Sequence, residues 1–179
     1  ILYESYNNNY ERNSIINSFS MAKSVTSMLI GFAIQDNLIK AVDDRVTKYI
    51  PELEHEGFDQ VSIENLLQMT SGMKFNESYI NPFGHAATFY YGRNLEKACL
   101  KLKLEKEPGT SFDYQSGSTQ LLGLILSRVL KTKNMSITEY LQEKIWTPLE
   151  MEFAASWSLD KKKNGLEKTF CCLNARAID

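Results

Sequence analysis

The stretch from residue 20 to residue 35 constrains this chain more than any other. Val25, Met28, Leu29, Phe32 and Ala33 recur at helical spacing, while Ile30 and Ile34 lie off that stripe. An apolar stripe at the helical period specifies an amphipathic helix, and apolar residues beyond it specify one covered on most of its circumference. The segment therefore predicts a central, buried helix. At 179 residues the chain fits one compact domain or a large part of one.

The other elements are arranged around that helix. Residues 1–6 and 14–18 read as short strands on either side of the polar turn Asn7-Asn8-Asn9. Ser62 can cap a helix that runs to Met69 and stops at Gly72. Residues 82–92 are aromatic and irregular. A further helix over 118–131 carries Leu121, Leu122, Ile125 and Val129 on one face. Ser136 and Glu139 match a capping box, starting a helix that ends before Pro148. This is a mostly helical α+β pattern without the regular strand–helix alternation of a doubly wound sheet. No internal repeat or long linker divides the chain, so residues 1–179 are taken as one domain. The chain opens at Ile1 without Met and stops without a closing element, so we expect a gene product longer at both ends.

Composition removes several function classes. The net charge of −2 points to neither a nucleic-acid nor an acidic-membrane partner. The basic run Lys161-Lys162-Lys163 has no interleaved aromatics and reads as a solvated turn. No apolar stretch is long enough to span a membrane. Cys171 and Cys172 are adjacent, a pairing that rarely bridges, and with Cys99 they are expected to be idle thiols. Two histidines and a Cys-Cys pair do not supply a zinc site, and there is no Walker-type loop, so neither metal nor cofactor is expected. A Ser-His-Asp hydrolase needs a histidine beside its nucleophile. His55 lies in a charged stretch, His85 in the aromatic loop, and no Gly-x-Ser-x-Gly elbow is present.

The chemistry enters where the apolar helix begins, at Phe19-Ser20-Met21-Ala22-Lys23. A serine hydroxyl is a weak nucleophile until a neighbour takes its proton. A lysine three positions along a helix lies on the same face, within reach of that hydroxyl. Apolar surroundings disfavour its charged form, which suits it to act as a base or to assist one. The Ser20 N–H, in the first turn, can point at a developing oxyanion. Ser71/Lys74 and Ser158/Lys161 share the Ser-x-x-Lys spacing. Gly72 interrupts the first, and the second lies in a polar segment. Only Ser20 has a strand behind it and an apolar helix ahead, although the motif alone equally fits a plain N-cap with a surface lysine.

A second motif follows in Phe112-Asp113-Tyr114-Gln115-Ser116-Gly117. The turn at Pro108-Gly109 precedes it and a helix follows, placing Tyr114 and Ser116 on a loop between elements. A tyrosine beside an ammonium can accept the serine proton and return it to a leaving group. Tyr-x-Ser by itself also fits a tyrosine held locally in the core.

Together, Ser20-x-x-Lys23 and Tyr114-x-Ser116 resemble the serine β-lactamase and penicillin-binding-protein superfamily. The Tyr-x-Ser form is similar to the branch with class C β-lactamases, DD-peptidases, esterases and 6-aminohexanoate-dimer hydrolases. Residues 42–53, the Leu66-Leu67-x-x-Thr70-Ser71-Gly72 run and Pro148-Leu149-Glu150-Met151 share that family's texture, with Glu150 where glycine is usual. The resemblance implies an antiparallel sheet flanked by helices plus a mostly helical lobe, with the site between them. It implies Ser20 as nucleophile, Lys23 as its activator and Tyr114 as general acid/base. Ser116 would hold the lysine network or the substrate.

The implied activity is a serine hydrolase forming an acyl-enzyme with a small-molecule ester, amide or β-lactam. An esterase or amidase comes first, with a β-lactamase, a DD-peptidase or a non-hydrolysing sensor of the same fold as alternatives. The family's Lys-Thr-Gly or His-x-Gly triplet is absent, and the segment from Asn174 to Asp179 resembles the helix that precedes that family's late strands, so the chain is expected to be a fragment lacking those strands and the second oxyanion donor. Residues 83–91 fit either a cleft wall or a packing cluster. Relatives are often exported, and the sequence leaves localisation open.

Overall fold

The computed structural model describes residues 3–161 and 165–176. Ile1 and Leu2, most of the lysine run at 161–163 and the end of the segment at 174–179 lie outside the described residues. Strand β1 (Ile16–Asn17) leads into a single 3-10 turn, Phe19–Met21, and then into α1 (Ala22–Gln35). Four helices follow: α2 (Ile63–Leu67), α3 (His85–Tyr91), α4 (Leu95–Cys99) and α5 (Ser116–Leu130). Then come α6 (Ile137–Leu141), β2 (Ser156–Trp157) and β3 (Leu173–Ala175). The three strands form one antiparallel sheet in the order β1-β3-β2, with Ile16 opposite Ala175 and Trp157 opposite Leu173. Segment 174–179 was expected to be helical, yet its described start belongs to β3. Pairing on both sides of that strand outweighs any local helical preference.

The central helix is α5, not α1. Thirteen of its fifteen residues are buried, and it packs against α1, α2, α4 and α6. Its buried Gln120 is satisfied across the core, as a buried polar group requires. Gln120 Nε2 donates to the Glu167 carbonyl at 3.0 Å, and Gln120 Oε1 accepts from the Thr169 amide at 3.1 Å. By contrast, α1 buries only Ala22, Thr26, Leu29, Ile30 and Ala33. Met21 and Met28 are exposed, and a side chain at Gly31 would meet open space. Neighbours cover one side of α1 fully, while Val25, Phe32 and Ile34 are only partly covered and Met28 is exposed.

Both helix caps predicted from the sequence form. Ser62 Oγ accepts from the Asn65 amide at 3.1 Å and Ser136 Oγ from the Glu139 amide at 3.1 Å, each completing a capping box. The helix after Ser62 ends earlier than expected, because Met69 adopts φ 57. The helix after Ser136 continues as a π-helical turn over Gln142–Trp146. The aromatic segment is not irregular: it forms α3, whose Ala86 and Phe89 are buried. Cys171 and Cys172 are joined by a disulfide, against the expectation of idle thiols. Cys99 is a free, buried thiol, and burial pushes its pKa up. Among the described residues no helix is long and apolar enough to cross a membrane.

Candidate active site

The sheet delivers Ser20 to the head of α1. The Ser18 amide donates to the Leu173 carbonyl at 2.9 Å, fixing the end of β1. Phe19 then adopts φ 45, left-handed backbone that non-glycine residues seldom take. This residue turns the chain sharply from strand into helix and leaves Ser20 exposed at the corner.

From that corner, Lys23 reaches back one turn. Its Nζ lies 3.1 Å from Ser20 Oγ and donates to the Phe170 carbonyl at 2.9 Å. It also sits 5.0 Å from the centre of the Tyr114 ring, a cation–π contact. Lys23 is half-buried rather than sealed in apolar surroundings. The Phe170 carbonyl is held in place from both α1 and α5. Thr26 Oγ1 donates to the Thr169 carbonyl at 3.0 Å, and Thr169 Oγ1 donates to the Thr119 carbonyl at 3.1 Å. The short 169–170 segment thus ties α1 to α5 directly beside the lysine.

Ser20, Lys23 and Tyr114 face one cleft of about 410 Å³. Ser24 and Ser27 line it from α1, Leu66, Leu67 and Met69 from the α2 side, and Thr119 and Leu122 from α5. Ser24 and Ser27 stand four and seven positions after Ser20, the helical register that places them on its face. That register was legible in the sequence but not used. The Phe170 carbonyl had no sequence signal, since every residue carries a backbone carbonyl.

Ser116 is not brought to this cleft. It is buried as the first residue of α5, and its hydroxyl donates to Glu77 Oε1 at 2.5 Å. The Glu77 carboxylate competes successfully for the hydroxyl because it sits at the helix N-terminus, where negative charge is favoured. The aromatic segment also stays out of the cleft lining. Phe89 packs edge-on to Phe75 and Phe170, while Phe83 and Tyr91 are exposed. Burial pushes the Tyr90 phenol pKa up and the Lys168 ammonium pKa down beside this cluster. The Lys168 ammonium donates to the Tyr90 carbonyl.

The rival Ser71/Lys74 pair is split: Ser71 Oγ meets Ser118 Oγ at 3.3 Å, and Lys74 pairs with Glu105 at 3.4 Å. His85 Nδ1 accepts from the Asn76 amide at 3.0 Å as a loop-stabilising group. Among the described residues no three His, Cys, Asp or Glu side chains converge as a metal site would.

A short antiparallel sheet beside helices, with serine and lysine at the head of one helix and a tyrosine opposite, defines a β-lactamase/transpeptidase-like fold. Residues 2–168 match the β-lactamase family, and the chain belongs to it; this is a family of serine hydrolases. The chain is 25% identical to the 6-aminohexanoate-dimer hydrolase of Paenarthrobacter ureafaciens, over 89% of its own length and 42% of that protein's. It is 28% identical to protein flp of Staphylococcus aureus (strain MW2), over 74% of its own length and 26% of the relative's. A Bacillus anthracis structure assigned as a 6-aminohexanoate-dimer hydrolase superposes with a TM-score of 0.83 at 25% identity, covering 99% of this chain and 48% of that one. A class C β-lactamase shares the fold at a TM-score of 0.67 and 18% identity, over 94% of this chain and 48% of its own. The chain thus spans less than half the length of these relatives.

Proposed function

We propose that this chain carries the acylating centre of a serine hydrolase acting on an ester or amide bond of a small molecule. The carrying observation is Lys23 Nζ at 3.1 Å from Ser20 Oγ, held there by the Phe170 carbonyl at 2.9 Å. In this reading Ser20 Oγ attacks the substrate carbonyl carbon, and its proton passes to the Lys23/Tyr114 pair beside it. The Phe170 carbonyl accepts one Lys23 N–H and so keeps Nζ beside the hydroxyl. Tyr114, whose ring centre lies 5.0 Å from Lys23 Nζ, relays that proton to the leaving group. The Ser20 N–H, in the first helical turn, lacks an intrahelical partner and is available to the oxyanion. Water then hydrolyses the acyl-enzyme and regenerates Ser20. Ser116 is a positioning residue at the head of α5 that supports the Tyr114 loop.

Similarity to 6-aminohexanoate-dimer hydrolases favours a small amide or ester over a β-lactam. A fluorophosphonate probe with the intact protein tests the nucleophile. Covalent label on Ser20, lost in Ser20→Ala, is the expected result, and absence of label rejects the reading. A comparison of p-nitrophenyl esters with nitrocefin then tests the bond type. Faster nitrocefin turnover replaces the esterase reading with a β-lactamase one, and acylation without turnover replaces it with a sensor.

A further inference from the structure

Glu77 lies far from the cleft in sequence and belongs to no catalytic motif, yet its carboxylate joins two parts of the site. Its Oε2 accepts from the Ser116 amide at 2.8 Å, and its Oε1 accepts from Ser116 Oγ at 2.5 Å and Tyr79 Oη at 2.7 Å. Helix α5 needs this group, because its own N-cap, Gln115, makes no side-chain capping bond. A carboxylate on the first N–H groups of a helix forms charge-assisted hydrogen bonds and complements the helix dipole.

The same segment grips the Tyr114 loop at two further points. The Asp113 amide donates to the Met69 carbonyl at 2.8 Å, and Gln115 Nε2 donates to the Met73 carbonyl at 2.7 Å. Tyr114 is therefore anchored at the residues before and after it, with Glu77 closing the clamp one residue further on. Tyr114 itself is 46% exposed, so little side-chain packing holds it. On the other side, Tyr79 meets the Tyr90 ring edge-on at 5.5 Å, and Tyr90 meets Phe170 at 4.9 Å. Phe170 supplies the carbonyl that holds Lys23.

From this arrangement, and resting on the acylation reading above, we infer that Glu77 is a positioning residue: it sets Tyr114 against Lys23 by clamping Ser116, and it steadies the aromatic stack behind Phe170. Misplacing a catalytic group by about 1 Å costs about 10²-fold in rate. Glu77→Ala is therefore expected to slow ester turnover by about 10–10²-fold in kcat, with KM within about twofold. Glu77→Gln keeps one amide oxygen for Ser116 and is expected to recover part of the rate. Amide hydrogen exchange at residues 114–117 is expected to quicken in Glu77→Ala.

Unchanged kcat in a folded Glu77→Ala protein overturns the inference, even if exchange quickens, because the carboxylate would then cap α5 without setting Tyr114. Unchanged exchange overturns it as well. If the wild type takes no label, the acylation reading fails, while exchange at 114–117 still decides whether Glu77 holds the loop.

Discussion

Helices α1 and α5 are both long, apolar and central to the sequence pattern, yet they have opposite duties. Thirteen residues of α5 are buried, against five in α1. α5 is enclosed by four other helices, and its polar residues spend their hydrogen bonds inside the core. α1 is anchored along one face by Leu29, Ile30 and Thr26 and presents Ser20, Lys23, Ser24 and Ser27 to a cleft. One helix is enclosed and the other carries the proposed nucleophile, and the Thr169–Phe170 segment links them. Catalytic groups need a fixed frame and access to substrate together, and in the proposed reading this division provides both.

That division can be broken from either side. The largest expected effect is on the open face: Ser20→Ala should reduce acylation by about 10⁴-fold or more, without a loss of stability beyond about 0.5 kcal/mol. Probe labelling and thermal melting measured together check this, and a large fall in melting temperature would contradict it. Next comes the closed helix. Leu121 is fully buried in α5, so Leu121→Ala should cost about 2–5 kcal/mol, whereas Met28→Ala on the exposed side of α1 should cost about 0.5 kcal/mol or less. Urea titration of the two variants measures the contrast directly, and equal losses would erase the distinction between the helices.

A smaller effect is expected where the helices are coupled. A Cβ at Gly123 would stand 2.2 Å from Thr169 Oγ1 and 2.6 Å from its methyl group. We predict that Gly123→Ala costs about 1–3 kcal/mol and also slows labelling, because Thr169 cannot yield without moving the Phe170 carbonyl. A stability loss with an unaltered labelling rate would show that the segment does not transmit the shift.

Acid should give the smallest effect, and chiefly at α1 and the segment that follows it. Asp36, at the C-terminus of α1, is held below the ordinary carboxylate range by the hydrogen bond from Lys144, against burial and with help from Tyr140. For Asp44, burial pushes upward but hydrogen bonds from Lys48 and Tyr49 outweigh it, bringing the pKa to about 2. A carboxyl whose pKa is lower in the folded state stabilises the fold above its unfolded value and loses that contribution as pH falls through the folded one. Stability should therefore decline from about pH 4 towards pH 2, with Asp44 contributing about 1 kcal/mol after allowance for solvent screening. Urea midpoints across that range check it, and Asp44→Asn should flatten the curve.

What the amino-acid order alone made legible was local. Ser62 and Ser136 were legible as caps because a capping box is completed within four residues. Ser20 and Lys23 were legible as a pair because three positions along a helix is a fixed distance. β3 was missed because a three-residue strand exists only through its partners β1 and β2. The helix over His85–Tyr91 was missed because its aromatic residues do not form a clean stripe: Phe89 is buried while Tyr91 faces solvent. Ser116 was legible as part of a motif but not as the partner of Glu77, which stands 39 residues away.

The sequence by itself determined that a serine and a lysine share one helical face, that a tyrosine loop precedes a second apolar helix, and that both helices belong to one fold. Covalent geometry and helical periodicity settle such relations within a few residues. Only the tertiary structure decided which helix is enclosed and which is open, that the Phe170 carbonyl holds Lys23, and that Ser116 belongs to Glu77 rather than to the cleft. Those outcomes depend on which surfaces meet and which hydrogen-bond partners remain once water is excluded, and no local pattern specifies them.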